Sequence, residues 1–368
     1  MNCLKQLRVG YVPFGSAFEF PGDRRRFCYY ARARNIPFEI VRSSEEYDVV
    51  VLSQAADISF WSQYPRGRTK IVFDFVDSYL SLSGLDWKGM LRGLAKFASG
   101  QNRRLRLSYR RALEDMCSRA DATICSTMEQ KMRILPFCQN VHMILDSHAT
   151  VVREYKDDYR ADGVFHFVWE GLAHNLSHLL EIKDALQELR KKRPFLIHAI
   201  TELQYYRFLG RQFGKRNTID DARKIWPGMR LYAWDERTFS AIVRSCDLAL
   251  VPIPLHDPFC AGKPENRVLL FWRTGMPVLA SATPAYARIM QECGLDMAAT
   301  SQQDWREALD YYTSNEQARR HAGQSGRSFA ESRHGEERTL TLWDEVFRSV
   351  FSEPQSQEPR MTSVSAEA

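Results

Sequence analysis

Short apolar runs alternate with amphipathic stretches along this chain, and the alternation limits the folds that it can adopt. Four such runs in the first half are LRVGYVPFG (7–15), YDVVVLSQ (47–54), KIVFDFVDS (70–78) and ADATICST (120–127). The second is apolar at consecutive positions, which is typical of a parallel strand buried on both faces. Alternating strands and helices predict a doubly wound α/β sheet.

The pattern restarts after a charged segment, VVREYKDDYRADG (151–163), that carries no long apolar run. We therefore predict two doubly wound domains, residues 1–155 and 156–335, that face a cleft. A helix at 336–352 is predicted to pack back on the first domain, and the polar tail 353–368 is predicted to be disordered. Ligands of such sheets bind beyond the carboxyl ends of the strands, so the cleft is the expected site.

The composition excludes several classes of protein. The 368 residues include eight cysteines without a C-x-x-C pair and nine histidines without zinc-type spacing. Reduced thiols and no metal site are therefore expected. No apolar run reaches the roughly 18 residues of a membrane-spanning helix, and the N-terminus lacks a signal-peptide pattern. These features favour a cytoplasmic protein.

Cations concentrate between residues 88 and 119 of a chain whose net charge is +6. Two interpretations are open: a surface that docks on the inner face of an anionic membrane, or a solvated helical face. Nucleic acid is not an expected partner, because no RRM, KH or zinc-finger signature accompanies this segment.

The segment 247–281, DLALVPIPLHDPFCAGKPENRVLLFWRTGMPVLAS, has the most informative pattern in the chain. A buried strand leads into a loop with Gly262 and Lys263, and a helix that carries Arg267 begins near Asn266. Glycine permits close backbone approach, and cations beside the free N–H groups of a helix N-terminus suit an anion. The segment therefore predicts a site for phosphate groups.

This segment resembles the nucleotide-sugar-binding half of GT-B glycosyltransferases, particularly glycosyltransferase family 4. The matching parts are DLALVPIP, GKPENR and TGMPVLAS, supported upstream by FVWEGLAHNLSHLLEIKDALQEL (167–189) and YAWDERTFSAIVRSCDLAL (232–250). The resemblance covers about 165–330 and is only architectural over 1–150. It implies two Rossmann-like domains and the transfer of a sugar from a nucleotide-diphosphate sugar to an acceptor.

The resemblance also implies roles for individual residues. Lys263 and Arg267 would contact the donor diphosphate, and Gly15 and Ser16 would line the acceptor side. The other expected donor-binding residues are Gly171, His174, Asn175, Trp234, Asp235, His256, Gly262, Glu265 and Asn266. Asn175 is also a candidate helix N-cap, and Glu265 a first-turn carboxylate favoured by the helix dipole.

Two positions depart from the family pattern. Family members carry two glutamates eight positions apart where this chain has Gly262 and Leu270. A leucine cannot accept hydrogen bonds from ribose hydroxyls. Two alternatives are open: Glu265, Asp257 or His256 takes over part of that role, or the site is weakened. Asp257 also suits a capping turn.

The candidate catalytic residues are His148, Asp77 and Asp257, since a carboxylate or imidazole must reach an acceptor hydroxyl. Asp74 shares this placement at a strand end. Arg24–Arg26 lie in a predicted helix at 22–34, where a solvated face is favoured over contact with an acidic acceptor.

The sequence thus predicts a glycosyltransferase that needs no metal or other cofactor, with retention of configuration implied by the family resemblance. Its partners would be a nucleotide-sugar donor and a glycan, lipid-linked or small-molecule acceptor. The alternative is a non-catalytic GT-B binding or scaffold protein, because the glutamate pair is missing.

Overall fold

The computed structural model describes residues 3–42, 44–81, 108–208 and 213–352. Within these ranges the chain forms two six-stranded sheets and one two-stranded hairpin. Most of the basic segment 88–119 and the whole tail 353–368 lie outside the described residues, so the expectations for them stay predictions. None of the described helices combines the length and apolar character that crossing a bilayer requires.

The first sheet is built from the apolar runs of the first half and is parallel throughout. Its strands are β1 (Val9–Val12), β2 (Glu39–Ile40), β3 (Val49–Ser53), β4 (Lys70–Asp74), β5 (Ala122–Cys125) and β6 (Val141–Met143). They lie in the order β2-β1-β3-β4-β5-β6. Every residue of β3 is buried, as expected for a central strand covered on both faces.

Short helices connect these strands. They are α1 (Pro21–Arg24), α2 (Phe27–Ala33), α3 (Ile58–Trp61), α4 (Tyr109–Arg119) and α5 (Met128–Ile134), with 3₁₀ turns at Cys3–Gln6 and Tyr79–Ser81. The single helix predicted at 22–34 is wrong. Arg26 has a non-helical backbone, with φ −121° and ψ −118°, so the chain turns sharply between α1 and α2.

The second sheet repeats the parallel architecture of the first. Its strands are β7 (Phe165–Glu170), β8 (Phe195–Thr201), β11 (Arg230–Ala233), β12 (Leu248–Val251), β13 (Val278–Ser281) and β14 (Ala298–Ala299). They lie in the order β11-β8-β7-β12-β13-β14. An antiparallel hairpin of β9 (Gln204–Phe208) and β10 (Phe213–Asn217), which the sequence analysis missed, follows β8.

The helices of the second half cover this second sheet. They are α6 (Lys183–Lys192), α7 (Thr218–Ile225), α8 (Phe239–Arg244), α9 (Pro258–Ala261), α10 (Asn266–Arg273), α11 (Pro284–Cys293), α12 (Gln302–Ser314) and α13 (Glu316–His334). A 3₁₀ stretch, Ala173–Ile182, precedes α6. Two parallel sheets with helices around them confirm the predicted α/β fold class.

The last described helix, α14 (Glu336–Phe351), returns to the first sheet. Its Trp343 stacks on Tyr30 of α2 with 5.5 Å between ring centroids, and its Asp344 accepts a hydrogen bond from the Tyr30 hydroxyl at 2.9 Å. We call the first sheet with its helices and α14 the first lobe, and the second sheet with its helices the second lobe. The boundary predicted at 155/156 lies between the two sheets and stays a prediction.

Candidate functional site

A cleft of about 1330 Å³ lies between the carboxyl ends of the two sheets. The first lobe lines it with residues that follow β1, β4 and β6, such as Phe14, Asp77 and Asp146. The second lobe lines it with the end of β7 and with residues that follow β8 and β11, such as Glu202 and Trp234. This is the edge at which parallel α/β sheets bind ligands. The described residues contain no cluster of side chains suited to a metal ion.

Contacts between the lobes hold the cleft in a defined shape. Arg24 of the first lobe forms an ion pair with Glu236 of the second, with 2.8 Å between Nη1 and Oε1. The guanidinium groups of Arg24 and Arg25 lie 4.8 and 5.0 Å from the ring centre of Trp234. Asn266, at the start of α10, accepts a hydrogen bond from the backbone N–H of Asp146 at 3.0 Å.

Lys263 lies at the cleft wall between α9 and α10. Burial, followed by the positive charge of Arg267, lowers the pKa of Lys263 to about 8. Its ammonium group forms no ion pair with a carboxylate in the described part of the chain. A half-buried cation of this kind gains from the arrival of an anion.

Arg267 projects from the first turn of α10 towards the same wall. Its Nε lies 3.7 Å from Glu170 Oε2, and its Nη1 is buried without a hydrogen-bond partner in the structure. Glu170 also accepts a hydrogen bond from Trp234 Nε1 at 3.1 Å. A Cβ at Gly171 would lie 2.9 Å from Arg267 Nη2, so only glycine leaves room for this guanidinium.

The loop after β7 brings Gly171, His174 and Asn175 to the cleft, as the sequence predicts. Asn175 is not the N-cap of the helix, because the 3₁₀ stretch already begins at Ala173. The Ala173 N–H is instead bound by Glu202 Oε2 at 2.7 Å. Trp234 and Asp235 also line the cleft.

The two positions that depart from the family pattern have structural explanations. A Cβ at Gly262 would lie 2.5 Å from Ser78, whose hydroxyl donates a hydrogen bond to the Gly262 carbonyl. The missing side chain therefore lets the two lobes touch. Leu270 is 1% exposed and belongs to the core of the second lobe. Neither position reaches the cleft.

The carboxylates in the second lobe's wall that do reach the cleft include Glu170 and Glu202, which the sequence analysis missed. Glu170 is the last residue of β7, and Glu202 directly follows β8. Their position at the carboxyl end of a buried apolar run was the signal that could have identified them.

The proposed substitutes for the missing glutamates lie elsewhere. Asp257 caps α9, with its Oδ1 accepting from the Phe259 N–H at 2.9 Å, and neither it nor His256 lines the cleft. Glu265 is 4% exposed and does not line the cleft, and its Oε2 has no hydrogen-bond partner among the described residues. Burial raises the pKa of Glu265 to about 7. The expected roles of Asp257, His256 and Glu265 at the ligand are therefore not supported by their positions.

The catalytic candidates of the first lobe separate into two groups. Asp77 lines the cleft, where its Oδ2 accepts from Gln54 Nε2 at 2.7 Å, and burial raises its pKa. His148 is 0% exposed, and neither ring nitrogen has a partner. A base must reach the proton that it accepts, so the expectation for His148 is corrected. Asp74 is also buried, and its carboxylate forms an ion pair with Arg26.

The expected acceptor-side residues Gly15 and Ser16 do not line the cleft; their neighbours Phe14 and Glu19 do. The Phe14 and Gly15 N–H groups donate to the buried Asp23 at 2.8 and 3.1 Å. This carboxylate turns the loop so that Phe14 faces the cleft.

Arg25 and Arg26 are not on a solvated face, which corrects the favoured interpretation of this cluster. Arg25 is 7% exposed and Arg26 is 1% exposed. Arg26 donates from Nε and Nη2 to Asp74 at 2.8 and 2.7 Å and from Nη1 to Asp146 at 3.0 Å. Both arginines line the cleft.

Solved structures share this arrangement of two sheets. HepE from Anabaena, in complex with UDP, gives a TM-score of 0.60 at 10% identity and covers 93% of this chain and 100% of HepE. WaaG, a glycosyltransferase involved in lipopolysaccharide biosynthesis, gives 0.52 at 10% identity, with 94% and 100% covered. TarM gives 0.53 at 9% identity over 81% of this chain, which spans about half of TarM (54%).

This chain has the GT-B fold. No family model and no curated protein sequence matches it, so the similarity is one of structure. In GT-B terms, the cleft described above is the groove between the two Rossmann-like domains.

Proposed function

We propose that this protein is a glycosyltransferase that binds a nucleotide-diphosphate sugar in the cleft and transfers the sugar to an acceptor hydroxyl. The observation that carries the proposal is the placement of Lys263 and Arg267 at the N-terminal end of α10, facing the cleft. Lys263 lacks a carboxylate partner in the described residues, and one N–H group of Arg267 is unpaired. A diphosphate would satisfy both.

The chemistry that these groups support is stabilisation of a leaving diphosphate. Negative charge grows on the diphosphate as the bond to the sugar breaks, and fixed cations in a cleft lower the free energy of that transition state. The helix dipole of α10 acts in the same direction. Retention of configuration remains part of the proposal through the family resemblance alone.

Asp77 is our candidate for the group that orients or deprotonates the acceptor hydroxyl. It lies on the first-lobe wall, faces the cleft and is held by Gln54 through two hydrogen bonds. Its raised pKa makes it a stronger proton acceptor than a solvated aspartate.

A thermal-shift screen of UDP, GDP, ADP and their sugars tests the proposal, because a ligand bound only by the folded state raises Tm. Calorimetry with the best nucleotide then compares Lys263→Ala with Lys191→Ala, an exposed lysine of the same lobe. Loss of one charge-assisted contact costs about 1.5–3 kcal/mol, so we expect Lys263→Ala to bind roughly 10- to 100-fold more weakly. Lys191→Ala should bind as the wild type does.

The pH dependence sharpens this test. Lys263 has a pKa of about 8, and its protonated form binds phosphate, so nucleotide affinity should fall above that pH. Lys263→Arg should remove the fall, because a guanidinium stays protonated. Equal affinity of the wild type and Lys263→Ala would refute the role of Lys263. Nucleotide binding without transfer or hydrolysis of any sugar would support a non-catalytic protein.

A further inference from the structure

The Arg25 side chain, on the first-lobe wall, has one edge of its guanidinium without a hydrogen-bond partner among the described residues. Its Nε and Nη2 are buried without hydrogen-bond partners in the structure. These two nitrogens form one side of the guanidinium fork, the geometry that binds a carboxylate or phosphate with two parallel hydrogen bonds. Leaving two buried donors unpaired costs free energy, so the site is built for an acceptor of those bonds.

The two neighbouring arginines show that Arg25 is different. Arg26 is neutralised by Asp74 and Asp146, and Arg24 is paired with Glu236. Arg25 has no ion pair with any carboxylate of the described residues. The charge of Arg25 is therefore the uncompensated one of the three.

Groups around Arg25 do not supply the missing negative charge. Burial, followed by the positive charges of Arg273 and Arg25, holds the pKa of His148 well below its usual value. His148 is therefore neutral and adds no counter-charge. Glu19 on the same wall is exposed to solvent and forms no ion pair with Arg25.

The same wall also offers surface for the uncharged part of a ligand. Phe14, Phe20 and Pro21 line the cleft beside Arg25. Flat apolar side chains of this kind cover the face of a sugar ring, while a guanidinium binds a charged substituent. The guanidinium of Arg25 also lies over the ring of Trp234 in the second lobe, 5.0 Å from the ring centre.

Arg25 belongs to a site separate from that of the donor cations. Lys263 and Arg267 lie on the second-lobe wall, just before and in the first turn of α10. Arg25 lies on the first-lobe wall, between α1 and α2. The lobe that carries Arg25 is the one opposite the proposed diphosphate.

We propose that the acceptor of this protein is an acidic saccharide, whose carboxylate or phosphate is bound by Arg25 while the ring lies against Phe14 and Phe20. The identification of this ligand as the acceptor rests on the proposed function. The anion site itself rests only on the geometry of Arg25.

The test uses the full chain saturated with UDP, so that the donor site is filled. Methyl glucuronide, glucose 6-phosphate and methyl glucoside are titrated in separately and followed by ligand-observed NMR. We expect at least one charged sugar to bind about tenfold more tightly than the neutral glucoside. The preferred sugar distinguishes carboxylate from phosphate.

Arg25→Gln should abolish this preference. Arg25→Lys keeps the charge without the fork and should retain only part of the preference. Arg320→Gln, at a half-buried arginine of α13 that is paired with Glu316, is the control. If an Arg25 variant fails to fold, the three titrations of the wild type still test the preference for a charged sugar.

Equal binding of the three sugars by the wild type, or a preference that survives in Arg25→Gln, would overturn the inference and leave the proposed function intact. Absence of any nucleotide binding would instead overturn the proposed function. A charged-sugar preference lost in Arg25→Gln would then still establish the anion site.

Discussion

Arg26 in the first-lobe wall and Lys263 in the second-lobe wall are both cations beside the same cleft, but only Arg26 has carboxylate partners. Arg26 binds Asp74 and Asp146, whereas Lys263 has none in the described ranges. A buried pair keeps its geometry without a ligand. The contrast suggests that paired cations position the wall and that unpaired ones are available to substrate.

Among the buried carboxyl groups, too, one has a charged partner and another does not. Asp74 is bound by two nitrogens of Arg26, while Glu265 has an unpaired Oε2 and a pKa that burial raises to about 7. Asp74 is thus neutralised within its own lobe, whereas the charge of Glu265 depends on pH.

Removing Arg26 should have the largest effect. Arg26→Met leaves Asp74 buried without its counter-charge, and breaking a buried ion pair in this way costs about 3–5 kcal/mol. Urea unfolding of the variant measures this loss of stability. The double variant Arg26→Met/Asp74→Asn should recover much of it, because the more deeply buried of the two carboxylates that lose Arg26 is then uncharged. A loss below about 1 kcal/mol in Arg26→Met would contradict the structural role.

Glu265 should give an effect that depends on pH. Its folded pKa of about 7 lies above its ordinary value of 4.5, so the folded state holds the proton more tightly than the unfolded state. Stability from this group is complete below pH 4.5 and falls as pH rises towards 7, by about 3 kcal/mol at most.

Glu265→Gln should therefore be more stable than the wild type at pH 8 and similar to it at pH 4.5, as measured by urea unfolding at both pH values. Glu307→Gln, an exposed glutamate of α12, is the control and should follow the wild type. A pH dependence that is the same in Glu265→Gln and in the wild type would show that Glu265 is solvated.

Gly171→Ala tests how the second lobe keeps Arg267 in place. The added Cβ would lie 2.9 Å from Arg267 Nη2 and 3.0 Å from the Trp169 ring, so the guanidinium must shift. We expect nucleotide affinity to fall about tenfold, or about 1.4 kcal/mol, in calorimetry. In an Arg267→Ala background the same change should have little effect; a full tenfold loss there would exclude this explanation.

Much of the fold could be predicted from the sequence, because consecutive apolar residues such as those of β3 signal buried parallel strands without reference to distant parts of the chain. Lys263 and Arg267 were predicted to lie together for the same reason: the loop and the helix start are local. The hairpin of β9 and β10 was missed because its residues follow directly on a strong strand, although Gly210 between the two strands is a turn signal.

The remaining parts of the site depend on contacts between distant residues. Ser78 and Gly262 are 184 positions apart, so the reason for glycine at 262 is visible only in three dimensions. Arg26 and Asp74 are separated by 48 positions, and a run of three arginines looks solvated until that partner is known. The family pattern specifies neither Glu170 nor Glu202, so the resemblance gave no signal for these two residues.

The return of α14 to the first sheet has a mechanical consequence. The polypeptide passes between the lobes twice, once near Ser147–Lys156 and once near Gly335. Two covalent connections permit the lobes to bend about the line that joins the connections, and they resist rotation of the lobes about any other direction. The walls of the cleft therefore keep the same lateral register relative to each other.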